Sequence, residues 1–316
     1  MKVHKDPRQL PVFRRAVVTI GTFDGVHNGH RQIIERMKAE AARIDGETVI
    51  VTFHPHPRKI VNSTILGVRL LNTLDERIML LGQLGIDHLV IVPFTDAFAN
   101  QEAENYVSDF LVKLFNPHTI IIGYDHRFGK DRRGDYRLLE ELAPRYGFEL
   151  REIPRHVLDE IAVSSTRIRE ALLQGELETA NRLLGYSFLF TGQVVHGDKL
   201  GRQLGYPTAN LRIHDEEKMI PANGIYAVRA ALVEPQQQQF PPQFINGMMS
   251  IGFRPTVDGK KRVIEINLFD FSEEIYDRYL MVAVEQYLRA EVRFNSLDEL
   301  IVQMGKDREE SLRILT

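Results

Sequence analysis

Apolar residues follow two different rhythms along this chain, and the change falls near Ser187. Before that point, short aliphatic and β-branched runs at 17–21, 48–53, 88–93 and 119–123 alternate with other stretches. In those, near 30–43, 74–84, 102–115 and 135–146, apolar positions return every three or four residues. Apolar strands separated by amphipathic helices predict a parallel sheet covered on both faces. Beyond Ser187 the runs are shorter, at 193–195, 224–229, 262–268 and 279–284, and glycine turns separate them, which predicts a small antiparallel barrel. A short helix over 175–186 bridges the two parts, and the glutamine-rich 235–242 reads as an exposed turn between strands. A closing helix is expected over 297–315, with Ser296 as its N-cap.

Composition narrows the class. A length of 316 residues exceeds the usual single domain and 43% apolar residues suffice for two cores, so two domains are expected, 1–184 and 185–316. The chain has no cysteine, which excludes disulfides, thiolate metal sites and cysteine nucleophiles. The first ten residues lack an apolar signal core and no later apolar run is long enough to cross a bilayer, so no membrane partner is expected and the cytoplasm is the default location. A net charge of −3, with scattered lysines and arginines, argues against nucleic acid as a main partner. Oligomeric state is left open.

The densest chemistry lies at the first strand-to-helix junction, Gly21-Thr-Phe-Asp-Gly-Val-His-Asn-Gly-His30. Its glycines let the backbone approach a bulky ligand. His27 and His30 share one face of the first helical turn, where unpaired N–H groups and the positive end of the helix dipole favour an anion. A P-loop lysine is missing, so the histidines would supply the side-chain donors to a nucleotide triphosphate. That suits nucleotidyl transfer with pyrophosphate leaving. Taken alone, an HxxH pair could also be a capping pair or a metal site.

This segment resembles the adenylyltransferase module of the bacterial bifunctional riboflavin kinase/FAD synthetase family. The resemblance implies a Rossmann-like nucleotidyltransferase domain that transfers AMP from ATP to FMN, with Gly21, Thr22, Phe23, Asp24, His27 and His30 at the ATP. His54-Pro-His-Pro-Arg58 is similar to the family's FxPHPR segment; it is either a proline-stiffened loop or an FMN contact through His56, Pro57 and Arg58. The loop 124–134 is similar to GxDFxFGxxRxG, which implies Asp125 and Phe128 at the FMN, with His126 where an aromatic is usual. Val163-Ser-Ser-Thr-Arg-Ile-Arg169 resembles SSTxIR, with Ser164 or Ser165 expected to cap a helix. It is either an ordinary capped helix with solvated arginines or a triphosphate site made by Ser165, Thr166, Arg167 and Arg169.

In the second half, residues 192–211 resemble the riboflavin kinase signature GxVxxGxxxGRxLGxPTANL. Gly197, Gly201 and Gly205 around Lys199 and Arg202 make a flexible cationic loop suited to ATP phosphates. Thr208 and Asn210 offer hard oxygen ligands appropriate to Mg²⁺, although Thr and Asn after a proline also commonly stabilise a turn. Glu265 matches the glutamate of the family's VExHxLDF strand, which implies a carboxylate that orients the 5′-hydroxyl of riboflavin and accepts its proton. Without the motif it would read as a solvated strand residue. Arg254, in a segment similar to NIGxRPT, is implied at the flavin. Ser250, Asn267 and Asp277 stand where asparagine, histidine and glycine are usual.

The expectation is an α/β nucleotidyltransferase domain followed by a β-barrel flavokinase domain with a C-terminal helix. With ATP as co-substrate and Mg²⁺ as cofactor, they would convert riboflavin to FMN and FMN to FAD at independent sites. The alternatives are a monofunctional adenylyltransferase for another phosphorylated acceptor, and a non-catalytic flavin sensor.

Overall fold

The computed structural model describes residues 1–57, 69–197, 201, 204–256 and 259–316. Contacts divide the chain into two compact units, Met1–Val68 with Arg77–Ser164, and Arg69–Glu76 with Ser165–Thr316. Among the described residues no helix is long and apolar enough to cross a membrane.

In the first unit, β1 (Lys2–His4), β2 (Ala16–Ile20), β3 (Thr48–His54), β4 (His88–Pro93), β5 (Pro117–Gly123) and β6 (Glu149–Ile153) form one sheet. Its order is β1-β4-β3-β2-β5-β6 and every pairing is parallel. β2 is buried along its whole length, as a central strand covered on both faces must be. α1 (Asn28–Ile44) buries Ile33, Ile34, Met37, Ala41 and Ile44, positions that recur at helical spacing. The chain turns from β2 to β3 on one side and takes up β5 on the other. The carboxyl ends of β2 and β5 are therefore a topological switch point, where open α/β sheets place ligands. The amphipathic stretch near 102–115 is helical but irregular. Residues Tyr106–Val112 form a π-helix, and these wider turns bury Tyr106, Val107, Phe110 and Leu111 together.

Two longer helices follow α2 (Leu74–Gly82) before the barrel: α3 (Tyr136–Tyr146), capped by the Asp135 carboxylate, and α4 (Arg155–Gln174). The latter corrects the sequence reading at Ser164 and Ser165. Neither caps a helix, because α4 begins nine residues or more upstream, just after Pro154, whose carbonyl accepts from the N–H groups of Val157 and Leu158. Nothing between 155 and 174 is glycine or proline, so no signal stops the helix before the motif.

The second unit is a closed barrel built from β7 (Phe188–Val195), β8 (Ala209–Arg212), β9 (Gly224–Val233), β10 (Ile245–Thr256), β11 (Gly259–Leu268) and β12 (Tyr279–Arg289). α5 (Leu177–Leu184) precedes it and α6 (Leu297–Leu315) closes it, with the Ser296 hydroxyl accepting from the Glu299 N–H at 3.2 Å. The barrel core also takes in Leu71, Ile168, Ala171, Leu172, Leu177 and Leu184. Residues well before 184 thus belong to this unit. The segment Arg69–Glu76 is fastened by a buried ion pair: the Lys218 ammonium donates to Glu76 at 2.6 Å and to the carbonyls of Leu71 and Leu189 at 2.5 and 2.7 Å. The other Glu76 oxygen accepts from the Thr191 N–H at 3.0 Å.

Candidate functional site

In the first unit, the turn after β2 holds Phe23 and Val26 at φ 49° and 39°, left-handed conformations that L-residues adopt only when their surroundings enforce them. His27 caps α1 through its backbone, and its carbonyl accepts from the Arg31 N–H at 3.1 Å. The His27 and His30 rings stack with centroids 3.9 Å apart, and the Phe23 ring lies 5.1 Å from His30. Asp24, His27 and His30 are all buried. Gly29 is required by packing: a Cβ there would meet Ile161 of α4 at 2.6 Å and the His27 ring at 3.3 Å. The structure thus brings Phe23, Asp24, His27 and His30 together at the amino end of α1, close to Gly21, whose Cβ would touch the Phe23 ring at 3.1 Å.

His30 Nδ1 is buried without a hydrogen-bond partner. Burial, then the neighbouring His27, then the Arg77 guanidinium push the proton affinity of His30 well below that of an ordinary imidazole. It is a neutral ring beside a concentration of donors. Arg77 is the residue here that sequence reasoning missed. It is 3% exposed and donates to the Thr52 hydroxyl at 3.3 Å, and that hydroxyl donates to the Thr22 carbonyl at 3.3 Å. Only the neighbouring Thr73–Glu76 capping box marks this stretch in the sequence; nothing marks Arg77 itself as buried.

The remaining expected FMN contacts are placed unevenly. Phe128 is buried in the sheet core, stacked on Tyr106 at 4.6 Å and pressed by Gly134, where a Cβ would lie 2.3 Å from its ring. Asp125 is exposed on the loop after β5. His126 has an inaccessible Nε2 with no hydrogen-bond partner, and burial followed by Arg132 and Arg127 pushes its pKa down to about 4. His56 and Pro57 follow β3 directly, and Arg58 lies outside the described residues. Ser165, Thr166, Arg167 and Arg169 stand on α4 in the stretch assigned to the second unit. Thr166 is exposed, Arg167 faces Glu176 at 3.5 Å, and Arg169 donates to the carbonyls of Arg69 and Ser165, each at 3.0 Å.

In the second unit, antiparallel pairing sets Glu265 of β11 opposite Asn210 of β8 on one side and opposite Ser250 of β10 on the other. These side chains share one face of the sheet. Arg254 donates to Glu265 at 2.8 Å and to Glu291 at 3.4 Å. Gly252 leaves room for Glu291, since a Cβ there would lie 1.8 Å from its carboxylate. Glu265 and Arg254 line a cavity of about 400 Å³ whose other walls include Met248, Phe294, Leu300 and Met304. A second cavity of about 370 Å³ runs from Val194 and Pro207 to Phe271, Ile275 and Tyr276. Thr208 lines both.

Gly197 and Gly201 form a cradle around the oxygen donors. A Cβ on Gly197 would overlap the Asn210 amide at 2.2 Å, and one on Gly201 would come within 3.2 Å of the Thr208 hydroxyl. Lys199 and Arg202 lie outside the described residues. No group of three or more His, Cys, Asp or Glu able to hold a metal is present among the described residues. One hydroxyl and one amide oxygen nonetheless fit Mg²⁺, which keeps most of its shell as water and phosphate oxygen. Two of the unusual residues also find reasons: Asn267 donates to the Pro207 carbonyl at 2.7 Å, tying down the Thr208 turn, and Asp277 sits at φ 63°, which explains why glycine suits that position.

The chain matches the family described as FAD synthetase over residues 10–167 and that described as riboflavin kinase over residues 184–315. It is 36% identical, over 92% of its length and 90% of the relative's, to the bifunctional riboflavin kinase/FMN adenylyltransferase of Escherichia coli K12. The corresponding protein of Haemophilus influenzae is 34% identical over 94% of either chain. A crystal structure described as a macrolide-efflux protein from Streptococcus pneumoniae has a TM-score of 0.79 at 29% identity over 98% of both chains.

Proposed function

The chain belongs to the bifunctional riboflavin kinase/FMN adenylyltransferase family, and from that premise we propose that it makes FAD in two ATP-dependent steps. The barrel unit phosphorylates riboflavin; the sheet unit joins AMP to the resulting FMN and releases pyrophosphate. The observation that carries the kinase reading is the wall shared by two cavities. Thr208 stands between a pocket suited to a nucleotide and a larger apolar one, rich in methionine and leucine, suited to a flavin ring, and Glu265 lies in the second.

In the kinase step, Glu265 accepts the proton of the 5′-hydroxyl as that oxygen attacks the terminal phosphorus of ATP, and ADP leaves. Arg254 fixes the carboxylate. Thr208 and Asn210 would hold Mg²⁺, which would neutralise the phosphate charge. In the adenylyl step, the FMN phosphate attacks the α-phosphorus of a second ATP and pyrophosphate departs. His27 and His30 hold the triphosphate at the amino end of α1, where the helix dipole and Arg77 favour the anion. A neutral His30 can donate one N–H, and the arriving polyanion raises its affinity for a second proton, so the donor set strengthens as negative charge accumulates. The place of work is the cytoplasm, where riboflavin and ATP meet.

Single-site variants assayed on each half-reaction test this division. Glu265→Ala is expected to lower FMN formation from riboflavin by about 10²–10⁴-fold and to leave FMN adenylylation intact, with His30→Ala giving the converse. Loss of both activities from either change contradicts two separate sites.

A further inference from the structure

The turn that carries His27 and His30 is held from the sheet side by a line of polar groups. The backbone ladder between β2 and β3 ends where Ile20 faces Val51, and the Gly21 N–H then donates to the Val51 carbonyl at 3.0 Å. One residue further on, side chains take over. Arg77 of α2 donates through Nη1 to the Thr52 hydroxyl at 3.3 Å, and that hydroxyl donates to the Thr22 carbonyl at 3.3 Å. A guanidinium can only donate and a carbonyl can only accept, so the single hydroxyl proton has one direction to point. Thr52 is wholly buried and Arg77 nearly so, and water does not compete for either bond.

Neither polar group is needed for packing. Thr52 sits among Val49, Ile50, Val51 and Phe53, all buried and apolar, and a valine would fill its place in a central strand equally well. Arg77 precedes Ile78, Met79, Leu80 and Leu81, which are buried too, and a guanidinium is costly to place in such company. What the line reaches is strained backbone. The Thr22 carbonyl stands directly before Phe23 at φ 49°, and the Phe23 carbonyl accepts at 3.2 Å from the N–H of Val26, at φ 39°. Such conformations persist only where the surroundings over-determine them, and fixing the peptide between Thr22 and Phe23 is one such constraint. The Phe23 ring lies 5.1 Å from His30, which stacks on His27 at 3.9 Å.

We propose that Arg77 is a positioning residue for adenylyl transfer, acting through the Thr52 hydroxyl on the Thr22 carbonyl to set the turn from which His27 and His30 meet the triphosphate. The assignment rests on the adenylyl-transfer reading given above and adds a residue that works at one remove from the substrate. Arg77 thereby has two separable effects. After burial and the charge of His27, its own charge is the third influence that holds the proton affinity of His30 down, whereas its hydrogen bond acts on backbone geometry. Removing the Thr52 hydroxyl abolishes the second effect and leaves the first.

Steady-state assays of FMN adenylylation by the full chain test this with Thr52→Val, Thr52→Ser, Arg77→Met and the double variant Arg77→Met with Thr52→Val. Thr52→Val should lower kcat about 10- to 100-fold and leave KM for FMN unchanged, because alignment of the triphosphate, and not capture of FMN, is lost. Thr52→Ser keeps the hydroxyl and should restore most of that rate. Arg77→Met should be slower than Thr52→Val, since it also removes the charge, and the double variant should be no slower than Arg77→Met, since the line is already cut. Full kcat in Thr52→Val, a loss that Thr52→Ser does not relieve, or single losses that multiply in the double variant overturns the proposal; the Thr52 variants decide it alone if Arg77→Met does not fold. Wild-type protein that forms no FAD from FMN would overturn the adenylyl-transfer reading itself, and the proposal with it, so the wild-type assay tells the two failures apart.

Discussion

Arg254 divides its guanidinium between Glu265 and Glu291, so the carboxylate assigned to receive a proton is held in one orientation by a cation that is itself held from behind. Replacing Arg254 by Met should therefore lower kcat for riboflavin phosphorylation by about 10- to 100-fold and leave FMN adenylylation unchanged, read in separate half-reaction assays. Histidines of the sheet unit give a second prediction. His4, His30, His88 and His126 all bind protons less readily than free imidazole, burial being the largest cause for each. The unfolded chain takes up protons on these rings first. Stability is thus intact above pH 6.5 and is lost as pH falls from there towards about 4, where His126 itself titrates in the fold. Denaturant unfolding followed from pH 7.5 to 4.5 should show that decline in the sheet unit, and His126→Phe should flatten it; an unchanged slope would show that His126 is not part of the cause. At this scale the sequence displayed the histidine pair and Glu265 through their motifs. Arg77 was invisible, because a lone arginine on a helix is most often solvated and only packing reveals that it is not.

Strands whose residues are buried on both faces announced themselves as apolar runs, and β2, β3, β4 and β5 lie where the rhythm put them to within a residue or two. β1 and β6 did not, because they are the two edges of the sheet and carry mostly polar or exposed residues. β8 and β10 hid inside the PTANL and IGFRPT segments, where glycine, proline and polar residues serve the site. The segment Arg69–Glu76 was equally hard to place. It reads as the approach to α2, and its membership of the barrel depends on Lys218, more than a hundred residues away. Lys218→Met leaves Glu76 buried without its cation and should cost about 3–5 kcal/mol in chemical denaturation of the barrel unit, whereas the double change Lys218→Met with Glu76→Leu should recover most of it. Equal losses in the single and double variants would mean that the pair does not bind the segment.

Across the whole molecule, the change of rhythm near Ser187 located the two fold classes but not the limits of the two units. The barrel core recruits α5, the second half of α4 and Leu71, none of which looks like part of a barrel in a linear reading. A fragment of residues 185–316 should accordingly unfold at lower denaturant than the same barrel in the intact chain, monitored by the fluorescence of its tyrosines. The measurement that bears most directly on the central claim is a time course of intact protein with riboflavin, ATP and Mg²⁺, and in parallel with FMN in place of riboflavin, with the three flavins separated by chromatography. Riboflavin should pass into FMN and then FAD in the first reaction, and FMN into FAD in the second. FAD from FMN with riboflavin untouched would contradict a working kinase in the barrel, and no conversion in either would contradict the account as a whole.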